Sequence, residues 1–173
     1  MTASPAPAPS IRALATDAEA RACAEIMSSN DPWRRLGRTF DESYRMLLDP
    51  AREVYVAVEP SATGEPSVVG FAIVIMHGAF VGYVQTVAVR DDRRGRGIGS
   101  ALIGFAEQRI FRAEPNVFIC VSSFNPDARR LYERLGYRVV GELTDFIIRG
   151  HSEILLRKSL GPLAEWTPEP RTT

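Results

Sequence analysis

Arg93-Arg94-Gly95-Arg96-Gly97-Ile98-Gly99-Ser100 is the segment with the clearest chemistry. Three alternating glycines leave the main chain bare, and arginines around them add positive charge. The apolar stripe Ile98, Ala101, Leu102 and Phe105 follows at helical spacing, so the glycines stand at a helix start. A helix start exposes unpaired N–H groups and the positive end of the helix dipole. Glycine lets a phosphate approach those N–H groups closely. The expected ligand is therefore anionic and phosphate-bearing. A P-loop needs lysine before its serine or threonine, and no lysine lies near Ser100. A dinucleotide fingerprint needs a third glycine where Ser100 stands, and this loop follows several strands instead of opening the fold.

The surrounding elements must hold that loop. Ile11–Leu14 reads as a short strand, and Asp17–Met27 as a helix with Ala18, Ala22 and Ile26 on one face. Asp31-Pro32 marks a break. Thr39 is placed to cap a second helix running to Leu48, with Glu42 completing a capping box. Val54–Val58 and Val68–Met76 read as strands joined by a hairpin loop around Gly64; the second is apolar throughout and so internal to a sheet. Phe80–Val89 reads as a long strand, with Gly82 permitting a bulge or a close backbone approach. The helix after the glycines ends near Phe111, and Val117–Val121 is the next strand. Strand, helix, strand at this spacing is a right-handed βαβ unit with parallel strands. A helix from Pro126 turns Ala128, Leu131 and Leu135 inward and stops at Gly136. Tyr137–Val140 and Ile154–Arg157 are the last strands.

Composition bounds the function. With 173 residues, the chain is expected to hold one domain over residues 10–160, between a flexible tail at 1–9 and another at 161–173. Lysine plus arginine and aspartate plus glutamate number 21 each, which argues against an extended nucleic-acid surface. Two cysteines, Cys23 and Cys120, without a CxxC suggest neither a disulfide framework nor a thiolate metal site. No run is long enough to span a membrane and the start resembles no signal peptide, so a cytoplasmic protein is expected.

Arg94-Gly95-Arg96-Gly97-Ile98-Gly99 resembles the signature of the GCN5-related N-acetyltransferase (GNAT) family, which is Arg or Gln, two residues, Gly, one residue, then Gly or Ala. Asn125–Tyr137 is similar to that family's strand, Asn, helix, Leu-Tyr, Gly-aromatic segment, in the same order and at the same separation. The likeness covers about residues 10 to 158. It implies an α/β fold: a mixed, mostly antiparallel central sheet with a parallel βαβ splay and flanking helices. It also implies acetyl-coenzyme A as cofactor. The pantetheine arm would lie in the splay against the backbone of Val87, Ala88 and Val89, and against Asn125. The pyrophosphate would sit on the N–H groups of Arg94, Gly95, Arg96, Gly97, Ile98, Gly99 and Ser100.

The resemblance further implies direct transfer of acetyl from thioester to amine in a ternary complex. The thioester carbonyl must be polarised, the amine deprotonated and the leaving thiolate protonated. The Val87–Val89 backbone is the expected polariser. Tyr132 matches the tyrosine that relatives place beside the cofactor sulfur as general acid. Relatives put a glutamate on one of the splayed strands, whereas here those strands carry Tyr83, Gln85, Thr86, Cys120, Ser122 and Ser123, none of them a carboxylate. A water chain, a backbone carbonyl or His151 is left to act as base. Deprotonating a lysine amine at pH 7 costs about 4.6 kcal/mol and an α-amine about 1 kcal/mol, so a weak base favours low-pKa amines. The acceptor is expected to be a small molecule or a peptide or protein N-terminus. It would meet Asn30–Phe40 and Leu143–Ser152, with Trp33 and Phe146 as an apolar wall and Asp145 or Glu42 attracting the cation. The alternative is a non-catalytic acyl-coenzyme A binding or regulatory module. A homodimer is also expected to be possible.

Overall fold

The computed structural model describes residues 9–61, 64 and 66–168. Most of the 1–9 segment and the last five residues expected as tail lie outside them. Among the described residues, seven strands form one sheet in the order β1-β2-β3-β4-β5-β7-β6. They are β1 (Ser10–Ala13), β2 (Glu53–Pro60), β3 (Pro66–Ile75), β4 (Tyr83–Val89), β5 (Asn116–Ser122), β6 (Arg138–Thr144) and β7 (Ser152–Ser159). The helices are α1 (Asp17–Ser29), α2 (Phe40–Leu47), α3 (Ile98–Phe111) and α4 (Pro126–Arg134). Only β4 and β5 pair in parallel; every other neighbouring pair is antiparallel. The mixed α/β architecture is the one expected. Among the described residues, no helix is long and apolar enough to cross a membrane.

Both faces of the sheet are covered. On one, Met27 of α1 and Met46 and Leu47 of α2 pack on Val56, Phe71, Ile73 and Ala88. On the other, Ile98, Leu102, Ile103 and Ala106 of α3 pack on Val69, Ala72, Val74 and Val84. Strand β3 therefore has no polar face, which is why its sequence does not alternate. Both α1 and α2 start with a capping box, Thr16 with Glu19 and Thr39 with Glu42; the second is the one expected.

Two strand boundaries differ most from expectation. Strand β4 starts at Tyr83, not Phe80, because Gly82 sits at φ +81° and turns the chain there. A Cβ at Gly82 would lie 2.5 Å from the Asn116 carbonyl oxygen, so the close backbone approach is real. Strand β6 runs to Thr144, beyond Val140. Its pairing with β7 continues through Glu142↔Ile154 to Thr144↔Ser152 despite a register shift between Val139 and Gly141. Near the C-terminus, Leu163–Glu165 forms one 3-10 turn and Trp166 is half-buried, so residues 161–168 are not wholly tail-like.

Two features of β4 build the site. First, β4 and β5 pair only at Tyr83↔Phe118 and Val84↔Ile119, leaving the rest of β4 unpaired with its parallel neighbour. Second, β4 pairs with β3 at Val84↔Val74 and then at Thr86↔Ile73, so Gln85 is an extra residue. A bulge of this kind reverses which face each side chain takes. Val84 packs with α3, yet Ala88 packs with α1 and α2, and Val87 and Val89 take the α3 side.

Candidate active site

The slot between β4 and β5 opens into a hollow on each face of the sheet. On the α3 side the hollow is about 720 Å³ and is lined by Val87, Val89, Arg94, Gly95, Gly97, Ile98, Gly99, Ser100, Asn125 and Tyr132, among others. On the α1–α2 side it is about 390 Å³. The two share Pro32, Trp33, Val87, Asn125, Ala128 and Tyr132 as a common wall. Among the predicted site residues, Ala88 and Arg96 do not line either hollow. Ala88 is turned to the α1–α2 core by the bulge, and Arg96 is exposed on the loop.

The α3 hollow offers main-chain donors. Gly97 caps α3 in the left-handed conformation with no side-chain hydrogen bond, and the Ala101 N–H donates to the Gly97 oxygen at 3.0 Å to begin the helical ladder. The N–H groups of Ile98, Gly99 and Ser100 precede it and have no helical acceptor. Gly95 and Gly97 both have positive φ and no atom within 4 Å of where a Cβ would stand. The loop thus presents a bare concave row of donors, the arrangement that suits a diphosphate. The arginines are more committed. Arg93 pairs with Glu59 at 3.0 Å and Asp92 at 2.8 Å, and Arg94 with Asp91 at 2.8 Å. Asn125 caps α4, its Oδ1 accepting from the Ala128 N–H at 3.3 Å, which fixes the side chain at the slot.

The α1–α2 hollow carries the titratable groups. Tyr132 is 7% exposed, and burial alone pushes its phenol above the ordinary tyrosine value. The proton therefore stays on its oxygen at neutral pH. Tyr83 is pushed up by burial and then by Cys120 beside it, and burial likewise raises Cys120. The residue that sequence reasoning missed is Glu153. It is 6% exposed, lines this hollow and accepts a hydrogen bond from Ser122 Oγ at 2.5 Å. Burial raises its carboxyl, and Ser122 offsets this only in part. Glu153 is on neither splayed strand. The β5–β7 ladder brings it in, through the register Ser122↔Glu153. The available signal was an acid at the head of the apolar run Ile154-Leu155-Leu156.

Other expected groups are occupied elsewhere. Glu42 serves the α2 capping box. Asp145 Oδ1 accepts from Gly150 N–H at 2.6 Å, closing its own loop. The His151 ring packs edge-on against Phe124 at 5.0 Å and lines neither hollow. Trp33 and Phe146 do line the α1–α2 hollow, together with Ile147.

Comparison with known proteins agrees with this geometry. Residues 18–137 match the model of the acetyltransferase (GNAT) family. A mycothiol acetyltransferase of Mycobacterium leprae is 38% identical over 99 residues, a match spanning 52% of this chain and 32% of that relative. The fold is that of a phosphinothricin acetyltransferase from Sinorhizobium meliloti solved with AcCoA, at a TM-score of 0.71 and 20% identity, covering 95% of each chain. It is also that of an aminoglycoside 6'-N-acetyltransferase solved with coenzyme A, at a TM-score of 0.69 and 18% identity, covering 88% of this chain and 98% of that one. With the glycine-rich helix start, the β4–β5 splay and the match over 18–137 all in place, the chain belongs to the acetyltransferase (GNAT) family.

Proposed function

We propose that residues 10–160 form one acetyltransferase domain that moves an acetyl group from acetyl-coenzyme A to a primary amine by direct attack in a ternary complex. The observation that carries this is the shared wall: one hollow offers phosphate-binding main chain, the other a buried carboxylate and phenol, and Val87, Asn125 and Tyr132 line both.

Acetyl-coenzyme A, when bound, supplies the acetyl group as an activated thioester. The N–H groups of Gly95 to Ser100 hold its diphosphate, and Val87, Val89 and Asn125 hold its arm at the slot. The exposed β4 edge offers N–H donors to the carbonyl oxygen, where negative charge develops. Tyr132 Oη keeps its proton at neutral pH and gives it to the departing sulfur. A small-molecule amine or a peptide N-terminus enters from the α1–α2 side. A non-catalytic binding module would be favoured by a site without a carboxylate, and Glu153 supplies one.

Thiol release measured with acetyl-coenzyme A and a panel of amines tests the proposal. Amine-dependent turnover is expected, and saturable coenzyme A binding without turnover would leave only the binding module. We further infer a cytoplasmic location, to be checked by cell fractionation. A homodimer is supported by the open outer edge of β6, with Val139 and Val140 exposed on it, and light scattering tests it.

A further inference from the structure

Among the described residues, four buried or partly buried glutamates are paired with cations, whereas Glu153 and the more exposed Glu114 are not. Glu19 meets Arg12 at 2.5 Å, Glu53 meets Arg109 at 2.6 Å, Glu59 meets Arg93 at 3.0 Å and Glu107 meets Lys158 at 2.6 Å. Glu153 is at least as buried as any of them and has no ion pair among the described residues. Ser122 satisfies Oε1, and Oε2 has no hydrogen-bond partner among the described residues. A buried carboxylate without a counter-charge is costly, and that cost falls when a cation arrives. Glu153 also lies in the wall of a cavity, so a cation can arrive.

Resting on the acetyltransferase reading, we propose that Glu153 binds the acceptor's ammonium group and removes its proton, and that the acceptor is a monocationic primary amine on an apolar or aromatic body. The rest of the hollow argues for the second half. Met27, Trp33, Leu36, Met46, Phe146 and Ile147 form the apolar part of its lining, beside uncharged polar residues such as Gln85, Thr86 and Asn125, and its second charged residue is a cation, Arg38. One carboxylate in such a wall accommodates one positive charge, the apolar part takes the body of the amine, and Arg38 opposes a second charge. The titratable and charged groups that share the hollow with Glu153 are Tyr83 from β4, Cys120 from β5, Tyr132 from α4 and Arg38 from the segment between α1 and α2; from β6 the paired residue is Leu143. Tyr83, Tyr132 and Cys120 all hold their protons at neutral pH, because burial raises each. Glu153 is thus the group here suited to accept one.

The step balances. Glu153 takes one proton from R–NH₃⁺. The nitrogen pair forms the C–N bond as the C–S bond breaks, and the sulfur takes the Tyr132 proton. The nitrogen's second surplus proton refills Tyr132, and Glu153 releases its own to solvent.

Initial rates of thiol release by the full chain should be measured from pH 5 to 9 with 2-phenylethylamine and with spermidine. Wild type is expected to prefer phenylethylamine and to lose kcat/KM toward acid as Glu153 protonates. Glu153→Gln is expected to lower kcat about 100-fold and abolish that acidic limb, while calorimetry finds coenzyme A binding unchanged. Ser122→Ala serves if the first variant fails to fold. It removes the bond that lowers the Glu153 carboxyl, so the limb should move to higher pH. A Glu153→Gln enzyme within twofold of wild type with its acidic limb intact, or an unmoved limb in Ser122→Ala, overturns the role of Glu153. Preference for spermidine overturns the acceptor class. Absence of turnover with every amine, while coenzyme A still binds, overturns the acetyltransferase reading beneath both.

Discussion

The two faces of the β4–β5 slot are built on opposite electrostatic plans. On the α3 face, positive character comes from fixed main-chain N–H groups, while the arginines nearby are largely neutralised by Asp91, Asp92 and Glu59. On the α1–α2 face, a carboxylate and two phenols stand in a wall of mixed polar and apolar residues, with titration set mainly by burial. Backbone donors carry no side-chain entropy and cannot titrate, so they suit a ligand part common to every turnover. Buried side chains hold protons at chosen atoms and suit the chemistry. A single bulged strand makes both faces at once, because Gln85 shifts the residues after it onto opposite sides.

The sharpest way to break the contrast is to pry β4 from β5 at the end where they meet. Gly82→Ala places a methyl 2.5 Å from the Asn116 carbonyl oxygen and 2.6 Å from Ile110 Cγ2 at a positive φ. Overpacking and the left-handed backbone together are expected to cost about 3 kcal/mol in urea unfolding, and to weaken both ligands. An unchanged unfolding midpoint would mean the strands separate freely. Next, Tyr132→Phe should lower kcat about 100-fold at an unchanged coenzyme A dissociation constant. Weaker coenzyme A binding with normal kcat would assign Tyr132 to the α3 face instead. Arg94→Ala, by contrast, removes a guanidinium already paired with Asp91, and is expected to weaken coenzyme A less than tenfold by calorimetry. A larger loss would make arginines, not N–H groups, the main anion holders.

The smallest effect concerns stability. The folded-state carboxyl of Glu153 is raised, so the folded protein binds that proton more tightly than the unfolded chain. Its contribution is complete below the unfolded-state carboxylate value and is lost as pH rises through the folded one. Glu153→Gln is therefore expected to be more stable than wild type at pH 7, with the gap closing toward pH 4. Paired denaturation curves at the two pH values check the sign.

Much of this was legible in the chain itself. The glycine loop, its helix, Asn125 and Tyr132 sit in local segments whose periodicity and caps need no tertiary knowledge. Residues after the loop, such as Val117–Val121, were readable because buried parallel strands are apolar throughout. The expected lack of a carboxylate was true of β4 and β5 but not of the hollow. That reading assumed that only the splayed strands reach the acceptor side. The preference for low-pKa amines rested on it, and Glu153 withdraws that basis. Asp145 and Glu42 failed as acceptor groups because each closes a local hydrogen bond instead.

What the sequence by itself determined is where the chain turns, which helix starts are left uncapped and which phenol follows Leu131. These depend on neighbours a few residues away, through backbone freedom and 3.6-residue or two-residue spacing. Only the tertiary structure decided that Glu153 faces Ser122 and that Val87 lines both hollows. Ladder register joins residues 31 apart in the chain, and a one-residue bulge changes which face they share.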